Sequence, residues 1–528
     1  MRIPLFLPVL VLLLTALPAR AADLYDVTRY GATGRKDDDA QPAIQRAIDA
    51  CAAAGGGTVH FPPGAYTSAT LQLRSYVTLH LAAGATLYAS RQEDAYPLRK
   101  ESGYRETGVP VLLYGRDLTR IAITGKGTVD GQAEHAWNPL ADVDGFIAAE
   151  TELARRAGVE MKRAYVVGPR VSLLYLVGCT DVHLENVSFV RSPHWTLHLA
   201  HCERVFLRGL SIFTDPKSGV NADGIDIDGC RNVMVSDCRV ATGDDAICLK
   251  STNRDGQYTD CEDITITNCT LSSTSAGLKI GTETFGNFRR IVFSNCVITD
   301  SNRGIGIFVR DGGTVEDVLF SNLVIDCRRK HFNWWGDGDA LRLVVLQRTP
   351  ESKVGTIRSV LIQNVVGRVQ GTSRLEGHAE SPLQHITLSN VQLRMEPESQ
   401  PDKRATDALY VTKAENVTFK DLRIDWAAEG AEPRWRSALR AEAVTGLQVD
   451  GLTARPGLAG SDAPAVDLTD CRAVTLRNST AAAGTGTFLA VAGRASAGIR
   501  LLANDLSRSR RPLARAKEVH RKSISLRK

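Results

Sequence analysis

The stretch CTDVHLENVSF, residues 179–189, decides the fold because its pattern returns many times along the chain. In each copy polar and apolar residues alternate, a turn residue (Asn, Asp or Gly) follows, and a second short alternation begins. Alternation with a period of two and frequent β-branched side chains predict short strands. Further copies are CERVFLRGLSI from Cys202, CRNVMVSDCRV from Cys230, CEDITITNCTL from Cys261, FRRIVFSNCVI from Phe288 and LQHITLSNVQL from Leu383.

The spacing of the turn residues predicts a solenoid. Most intervals fall between 23 residues (Asn186 to Gly209) and 31 residues. The longer interval from Asn322 to Asn364 holds an insert, WWGDGD. Repeats of about 20–50 residues are typical of solenoids, and the lack of a helical period makes this one a β-solenoid. A β-propeller would need four strands and a blade signature in every ~40–50 residues, and the sequence shows neither.

The residues before the repeats predict a short helix. Residues 42–51 carry one apolar stripe at helical spacing, and three glycines, residues 55–57, end it. The stripe consists of Ala43, Ile44, Ala47, Ile48 and Cys51. Because a solenoid leaves the apolar end of its first coil open, we expect this helix to cap it.

The two ends of the chain predict further segments. Residues 1–21 combine one arginine near the start, an apolar stretch and a small-residue site, which is typical of a secretory signal peptide. We therefore expect export to the periplasm or the extracellular space, with the capped solenoid over residues 22–504. Residues 505–528 hold nine basic and two acidic residues, although the whole chain carries only +5. We expect a disordered basic tail, with a polyanion-binding arm as the alternative.

Composition excludes some partners and explains the cysteines. We find no nucleic-acid motif and no later apolar run long enough to span a membrane, and we expect a monomer. Five of the eleven cysteines stand seven residues before their turn residue, namely Cys179, Cys202, Cys230, Cys261 and Cys471. We expect these five to stack as a buried ladder of small side chains rather than to form disulfides or a metal site.

Three aspartates carry the chemistry. NADGID from Asn221 and GDD from Gly243 supply Asp223, Asp244 and Asp245. The first two are 21 residues apart, about one coil, and equivalent positions in neighbouring coils lie only ~4.8 Å apart. Carboxyls this close raise one another's pKa, which a fold does not need. Glycoside hydrolysis does need it, because one acid protonates the leaving oxygen and another carboxylate activates water.

Residues near these acids in the coil register should line the same outer wall. The coil position of Asp245 is held in other coils by His194, Ala276 and Arg303. Positive charge is added by Lys250, Lys279 and Arg310. Acids for chemistry beside bases for binding suit an acidic sugar, although any single base could be ordinary surface charge. The pair Trp334-Trp335 predicts either a sugar platform or a buried aromatic pair.

The chain resembles glycoside hydrolase family 28, the polygalacturonase and rhamnogalacturonan hydrolase group. The resemblance runs from Tyr25 to about Asn390. NADGID followed one coil later by GDD is its specific signal, because pectin lyase-like proteins share the opening motifs. The matching motifs are YGATG at Tyr30, GGGTVHFPPGAY at Gly55, GKGTVDG at Gly125, SPHWTLH at Ser192, NADGIDID at Asn221, GDDAICLKS at Gly243 and GLKIGTE at Gly277.

This resemblance implies an all-β fold, a right-handed parallel β-helix of the pectin lyase-like kind with the short N-terminal capping helix. It implies a pectic oligo- or polysaccharide substrate, hydrolysis with inversion, and no metal or cofactor. Asp244 matches the general acid, while Asp223 and Asp245 match the residues that position and deprotonate water. The positions expected to bind substrate are His194, Asn221, Lys250, Lys279, Glu283 and Arg310.

Two departures from the polygalacturonase pattern bear on the substrate. Where polygalacturonases carry Gly-His-Gly, this chain has Ser275-Ala276-Gly277, and no Arg-x-Lys follows in the Arg303–Arg310 coil. We therefore expect another pectic linkage, such as galacturonosyl-rhamnose, or exo-action on short fragments. Two other function classes stay open: a uronate lyase or epimerase, and a non-catalytic carbohydrate-binding β-solenoid.

Overall fold

A computed structural model describes residues 24–96, 110–139, 145–330 and 335–527. Over these ranges the chain forms a parallel β-helix in which each coil contributes one strand to each of three sheets. The predicted signal peptide, residues 1–21, and Trp334 lie outside the described residues. Within the described ranges, no helix is both long and apolar enough to cross a bilayer.

Sheet one begins with the first described strand and reaches the last. Four of its strands are long enough to bend into sheet two as well, namely Thr314–Cys327, Thr356–Val369, Leu383–Met395 and Thr418–Trp426. The other strands of sheet one are Leu24–Asp26, Gly57–Phe61, Val77–Leu81, Thr119–Gly125, Thr180–Glu185, Glu203–Arg208, Arg231–Ser236, Cys261–Thr267, Phe288–Ser294, Gln448–Asp450, Thr475–Arg477, Ile499–Leu502 and Ile524–Arg527.

Sheet two consists of shorter strands that follow the turn residue. Its separate strands are Gly64–Ser68, Ala85–Ala89, Thr128–Asp130, Ser188–Val190, Ser211–Phe213, Arg239–Thr242, Thr270–Ser273, Val297–Ser301, Thr453–Ala454 and Thr480–Ala481. Residues that leave sheet two lead directly into sheet three, so the turn between these two sheets places its side chains on one edge of the solenoid.

Sheet three receives the two aspartate-bearing motifs at the start of its strands. Its strands are Leu71–Gln72, Val111–Arg116, Ser172–Val177, Leu197–Ala200, Ile225–Asp228, Ile247–Ser251, Ala276–Thr284, Arg303–Val309, Asp339–Val345, Ser373–Glu376, Leu409–Glu415, Leu439–Thr445, Pro464–Thr469, Thr487–Ala492 and Arg511–Arg515. NADGID and GDD each enter one of these strands, which brings their aspartates to the same edge.

The helices lie outside this repeat. The predicted capping helix forms over Gln41–Ala53 and buries all five residues of its apolar stripe. A second α-helix, Gly145–Arg156, and an antiparallel hairpin of Glu134–Pro139 with Lys162–Val167 together form an insert between two coils. The 3-10 helices are Val27–Tyr30, Glu93–Ala95 and Arg521–Ser523.

The turn residues adopt a left-handed backbone conformation and form hydrogen bonds between neighbouring coils. Asn322 has a φ of 56° and Asn364 a φ of 53°, both in the left-handed region. Their side chains also stack between coils: the amide of Asn364 donates to Asn322 at 3.0 Å, and that of Asn390 donates to Asn364 at 2.9 Å. Asparagine therefore contributes both the backbone conformation and a lateral hydrogen bond.

The interior is a continuous apolar core, and the cysteines belong to it. All eleven cysteines lie in the described part of the chain, where each is a buried free thiol. The backbone N–H of Cys202 donates to the Sγ of Cys230 at 3.3 Å, so these side chains stack between coils. The predicted ladder is confirmed for this pair, and disulfides do not contribute to the fold.

The prediction of a disordered tail over residues 505–528 is wrong for its described part. Arg511–Arg515 pairs in parallel with Thr487–Ala492, and Ile524–Arg527 pairs with Ile499–Leu502. Apolar side chains explain the difference, because Leu513 and Ile524 pack against the core and Val519 is buried. The basic residues lie between these apolar positions, on the outside of a last coil.

We expect Asn364→Val to lower the free energy of unfolding by about 1–3 kcal/mol, because a β-branched residue is strained at positive φ. Asn364→Gly loses the same hydrogen bonds but tolerates this backbone conformation. Urea denaturation of both variants checks the cause. A loss as large for glycine as for valine would contradict the role of backbone strain.

Candidate active site

A cleft of about 540 Å³ lies along the edge where sheet two turns into sheet three. All three predicted catalytic aspartates line it. Asp223 stands two residues before Ile225–Asp228, while Asp244 and Asp245 stand just before Ile247–Ser251. The parallel pairing of these two strands is what brings the two motifs together.

The three carboxyls form one buried cluster. One oxygen from each lies within 4.8 Å of the other two. The exposed fractions of Asp223, Asp244 and Asp245 are 3%, 5% and 1%. Asp244 accepts hydrogen bonds from the backbone N–H of Asn221 at 3.0 Å and of Asp245 at 2.9 Å. Asp245 accepts from the backbone N–H of Ala276 at 3.2 Å and from the ammonium of Lys279 at 2.5 Å.

These contacts make the acids unequal. Burial, and then the charge of Asp245, raises the pKa of Asp244 to about 6. Burial would also raise the pKa of Asp245, but the ammonium groups of Lys279 and Lys250 hold it below its usual value. Burial and the neighbours Asp226 and Asp244 raise the pKa of Asp223 well above its usual range. At mildly acidic pH the cluster therefore holds a proton on Asp244 and a charge on Asp245.

The predicted lysines lie in the cleft, where each neutralises acids. Lys250 Nζ lies 3.2 Å from Glu283 Oε2, 3.6 Å from Asp226 Oδ1 and 3.9 Å from Asp223 Oδ2. It also lies 4.7 Å from the centre of the Trp195 ring. The two lysines thus serve first as counterions within the protein.

The other predicted binding residues divide into two groups. Asn221, Glu283 and Arg310 line the cleft. His194 is not among the lining residues: its Nδ1 lies 3.1 Å from Ser172 Oγ, and its ring stacks 5.5 Å from that of Trp195. Burial, and then the charge of Arg170, lowers the pKa of His194 well below its usual value. His194 therefore packs against Trp195, which itself lines the cleft.

Several lining residues escaped the sequence reasoning. Trp195 is the next residue after the predicted His194. Trp335, by contrast, belongs to the predicted tryptophan pair and lines the cleft with 38% of its surface exposed, as a sugar platform would. The others come from scattered coils and gave no local signal. They include Glu150, Phe308, Asp337, Arg342, Leu346, Arg348 and Arg404.

The aspartate cluster also has the geometry to hold a hard cation, since an oxygen of each carboxyl can converge on one point. The ammonium of Lys279, 2.5 Å from Asp245, already supplies positive charge there. A divalent ion would be repelled by it at short range. The expectation of a metal-free site stays a prediction.

The sequence model described as Glycosyl hydrolases family 28 matches residues 66–406, which is more than half of the chain. A second model, described as Rhamnogalacturonase A/epimerase, pectate lyase-like, matches residues 24–91. The match agrees with the motifs around Asn221 and Gly243.

Individual relatives are distant. A probable polygalacturonase from Vitis vinifera is 28% identical over 44% of this chain and 45% of its own length, so the match spans about half of that relative. The exopolygalacturonase structure from Thermotoga maritima has a TM-score of 0.60 and 22% identity, covering 76% of this chain and 92% of the other. The family 28 exopolygalacturonase from Yersinia enterocolitica gives 0.57 and 20%, covering 82% and 79%. These structures share the parallel β-helix fold.

We expect Lys279→Met to move the acid limb of the pH–activity profile to higher pH. Without its counterion, the buried Asp245 would have a higher pKa and would be ionised only at higher pH. Lys217→Met, at an exposed loop lysine, is the matched control. Profiles of kcat/KM against pH check this, and an unmoved acid limb would contradict the role given to Lys279.

Proposed function

We propose that this chain, which belongs to glycosyl hydrolases family 28, hydrolyses a glycosidic bond in a pectic, galacturonate-containing oligo- or polysaccharide. The observation that carries the proposal is the cluster of three buried carboxyls in one cleft, with the ammonium of Lys279 against Asp245. Burial raises the pKa of Asp244 to about 6, while Lys279 holds the pKa of Asp245 below its usual value. Glycoside hydrolysis uses one protonated and one ionised carboxyl that flank the scissile bond.

In this mechanism Asp244 donates its proton to the leaving glycosidic oxygen as that bond breaks. Asp245 takes a proton from the attacking water, and Asp223 helps to position that water. Lys250 and Lys279 keep the net charge of the cluster low enough for an acidic sugar to enter. Seven basic side chains line the cleft, which supports a uronate substrate: Lys250, Lys279, Arg303, Arg310, Arg342, Arg348 and Arg404.

The closeness of the acids does not by itself select the stereochemistry. Carboxyls of inverting enzymes commonly stand ~6.5–9.5 Å apart and those of retaining enzymes ~5–5.5 Å, whereas these oxygens lie within 4.8 Å. The three side chains therefore do not diverge. We propose inversion because the resemblance to glycosyl hydrolases family 28 implies it.

The substrate is proposed to be other than plain polygalacturonate. Ala276 is fully buried and brings no imidazole to the cleft, and Arg303 is tied to Asp339 at 2.8 Å. A rhamnose-containing linkage or a short pectic fragment fits these departures. Export through the signal peptide of residues 1–21 would bring the protein to such a substrate.

Asp244→Asn should lower kcat by at least ~10²-fold, because general acid catalysis contributes at least that much. Asp237→Asn is the matched control, since Asp237 is a turn residue outside the cleft. Incubation with a panel of pectic oligosaccharides, followed by mass spectrometry, measures the rate and the reaction type. Products heavier by one water support the hydrolase, whereas unsaturated products would identify a lyase.

Proton NMR of the first-formed sugar should show an anomeric configuration opposite to that of the substrate. The spectrum must be recorded before mutarotation. Retention of configuration would instead indicate a covalent intermediate and would overturn the roles of Asp223 and Asp245.

Unbranched polygalacturonate should be hydrolysed more slowly than rhamnose-containing or short pectic substrates, because the carboxylate-binding pattern of polygalacturonases is absent. Rates of reducing-end release on both substrates compare them. Efficient cleavage of unbranched polygalacturonate would contradict this substrate choice but not the hydrolase.

A further inference from the structure

An insert, described over residues 134–139 and 145–167, lies between the strands Thr128–Asp130 and Ser172–Val177. Its helix, Gly145–Arg156, has a small apolar cluster of its own, in which Ala154 and Met161 are buried against one another rather than in the solenoid core. The base of the insert is tied down by two hydrogen bonds from Arg91 to Glu134, at 3.1 and 3.2 Å. These two bonds hold the strand pair of the insert but not its helix, so other contacts must hold the helix in place.

A long-range ion pair provides such a contact. Both guanidinium NH groups of Arg404 donate to Glu150, at 2.8 and 2.9 Å, although the two residues are 254 positions apart. Only 6% of Glu150 is exposed. Arg404 is fixed in turn by Asp402 at 2.7 Å and Asp337 at 3.2 Å. A two-point pair with this support fixes direction as well as distance.

The insert reaches along the solenoid to this pair. The guanidinium of Arg404 lies against Asp337, just before the strand Asp339–Val345. From Ser172–Val177 to that strand, sheet three advances by six strand pairings, which corresponds to about 29 Å. A six-residue strand pair reaches about 20 Å and the helix as far as Glu150 about 8 Å, so the insert covers about that distance. Glu150 and Arg404 both line the cleft that holds the catalytic aspartates.

We infer that the Glu150–Arg404 pair latches this insert across the cleft and thereby determines the length of substrate that the cleft accepts. An internal segment of a polymer needs a groove open at both ends, and a latched insert obstructs that path. Chain ends and short oligosaccharides can still enter. This inference rests on the proposed function, and it makes Glu150 a specificity-determining residue rather than a catalytic one.

Glu150→Gln tests the inference, because it removes the charge while it keeps the shape. Glu152→Gln is the matched control: Glu152 lies on the same helix and pairs with Arg155 and Arg156 within that helix. The ratio of the rate on a long pectic polymer to the rate on a trimer should rise more than ~10-fold for Glu150→Gln, since breaking a buried pair strongly disfavours the latched state. It should stay unchanged for Glu152→Gln.

Hydrogen exchange of residues 145–156 gives a second readout that needs no substrate. Exchange should become faster in Glu150→Gln and stay as in the parent protein in Glu152→Gln. Faster exchange with an unchanged polymer-to-trimer ratio would overturn the specificity role, and unchanged exchange would overturn the latch. Absence of hydrolysis of every pectic substrate, with the exchange result as expected, would refute the proposed function and leave the latch standing.

Discussion

The parallel register between successive coils is the constraint on which the other features depend. Each strand pairs with the strand one coil later, so a coil position becomes a row of side chains ~4.8 Å apart. In sheet three one such row pairs Asp226 with Cys248 and Cys248 with Lys279. Lys279 thereby reaches back to Asp245 at the start of the preceding strand. Loss of register would separate these two residues, and the left-handed turn asparagines are what prevents it.

Burial makes the pKa values of the two aspartates depend on the residues that this register places beside them. Asp244 and Asp245 are neighbours in the chain and equally hidden from solvent, yet their pKa values move in opposite directions. The difference is that the ammonium of Lys279 lies against Asp245, while the charge of Asp245 adds to the effect of burial on Asp244. At Asp245 the charges of Lys279 and Lys250 outweigh the effect of burial on its pKa. The location of the proton is therefore set by which carboxyl the lysine of the next coil reaches.

Sequence patterns predicted the repeating coils, the capping helix and the aspartates, but they missed features that depart from the repeat. The coils, the capping helix of Gln41–Ala53 and the aspartate cluster all follow from spacing within about one coil of sequence. The last coil was missed because its basic residues outnumber the apolar positions, such as Leu513 and Ile524, that fix it to the core. The place of His194 was missed because a coil position does not say whether that ring lines the cleft or packs against Trp195.

Sequence patterns could not predict the contacts between distant coils that close the ends of the cleft. A repeat alone builds an outer wall that is open along its whole length, because every coil repeats the surface of the last. Ends must come from residues that break the repeat, as in the insert Glu134–Val167 and the segment with Trp335. Since Glu150 and Arg404 belong to distant coils, no window of sequence relates them. The repeating coils thus position the catalytic aspartates, while the inserts determine which substrates can enter the cleft.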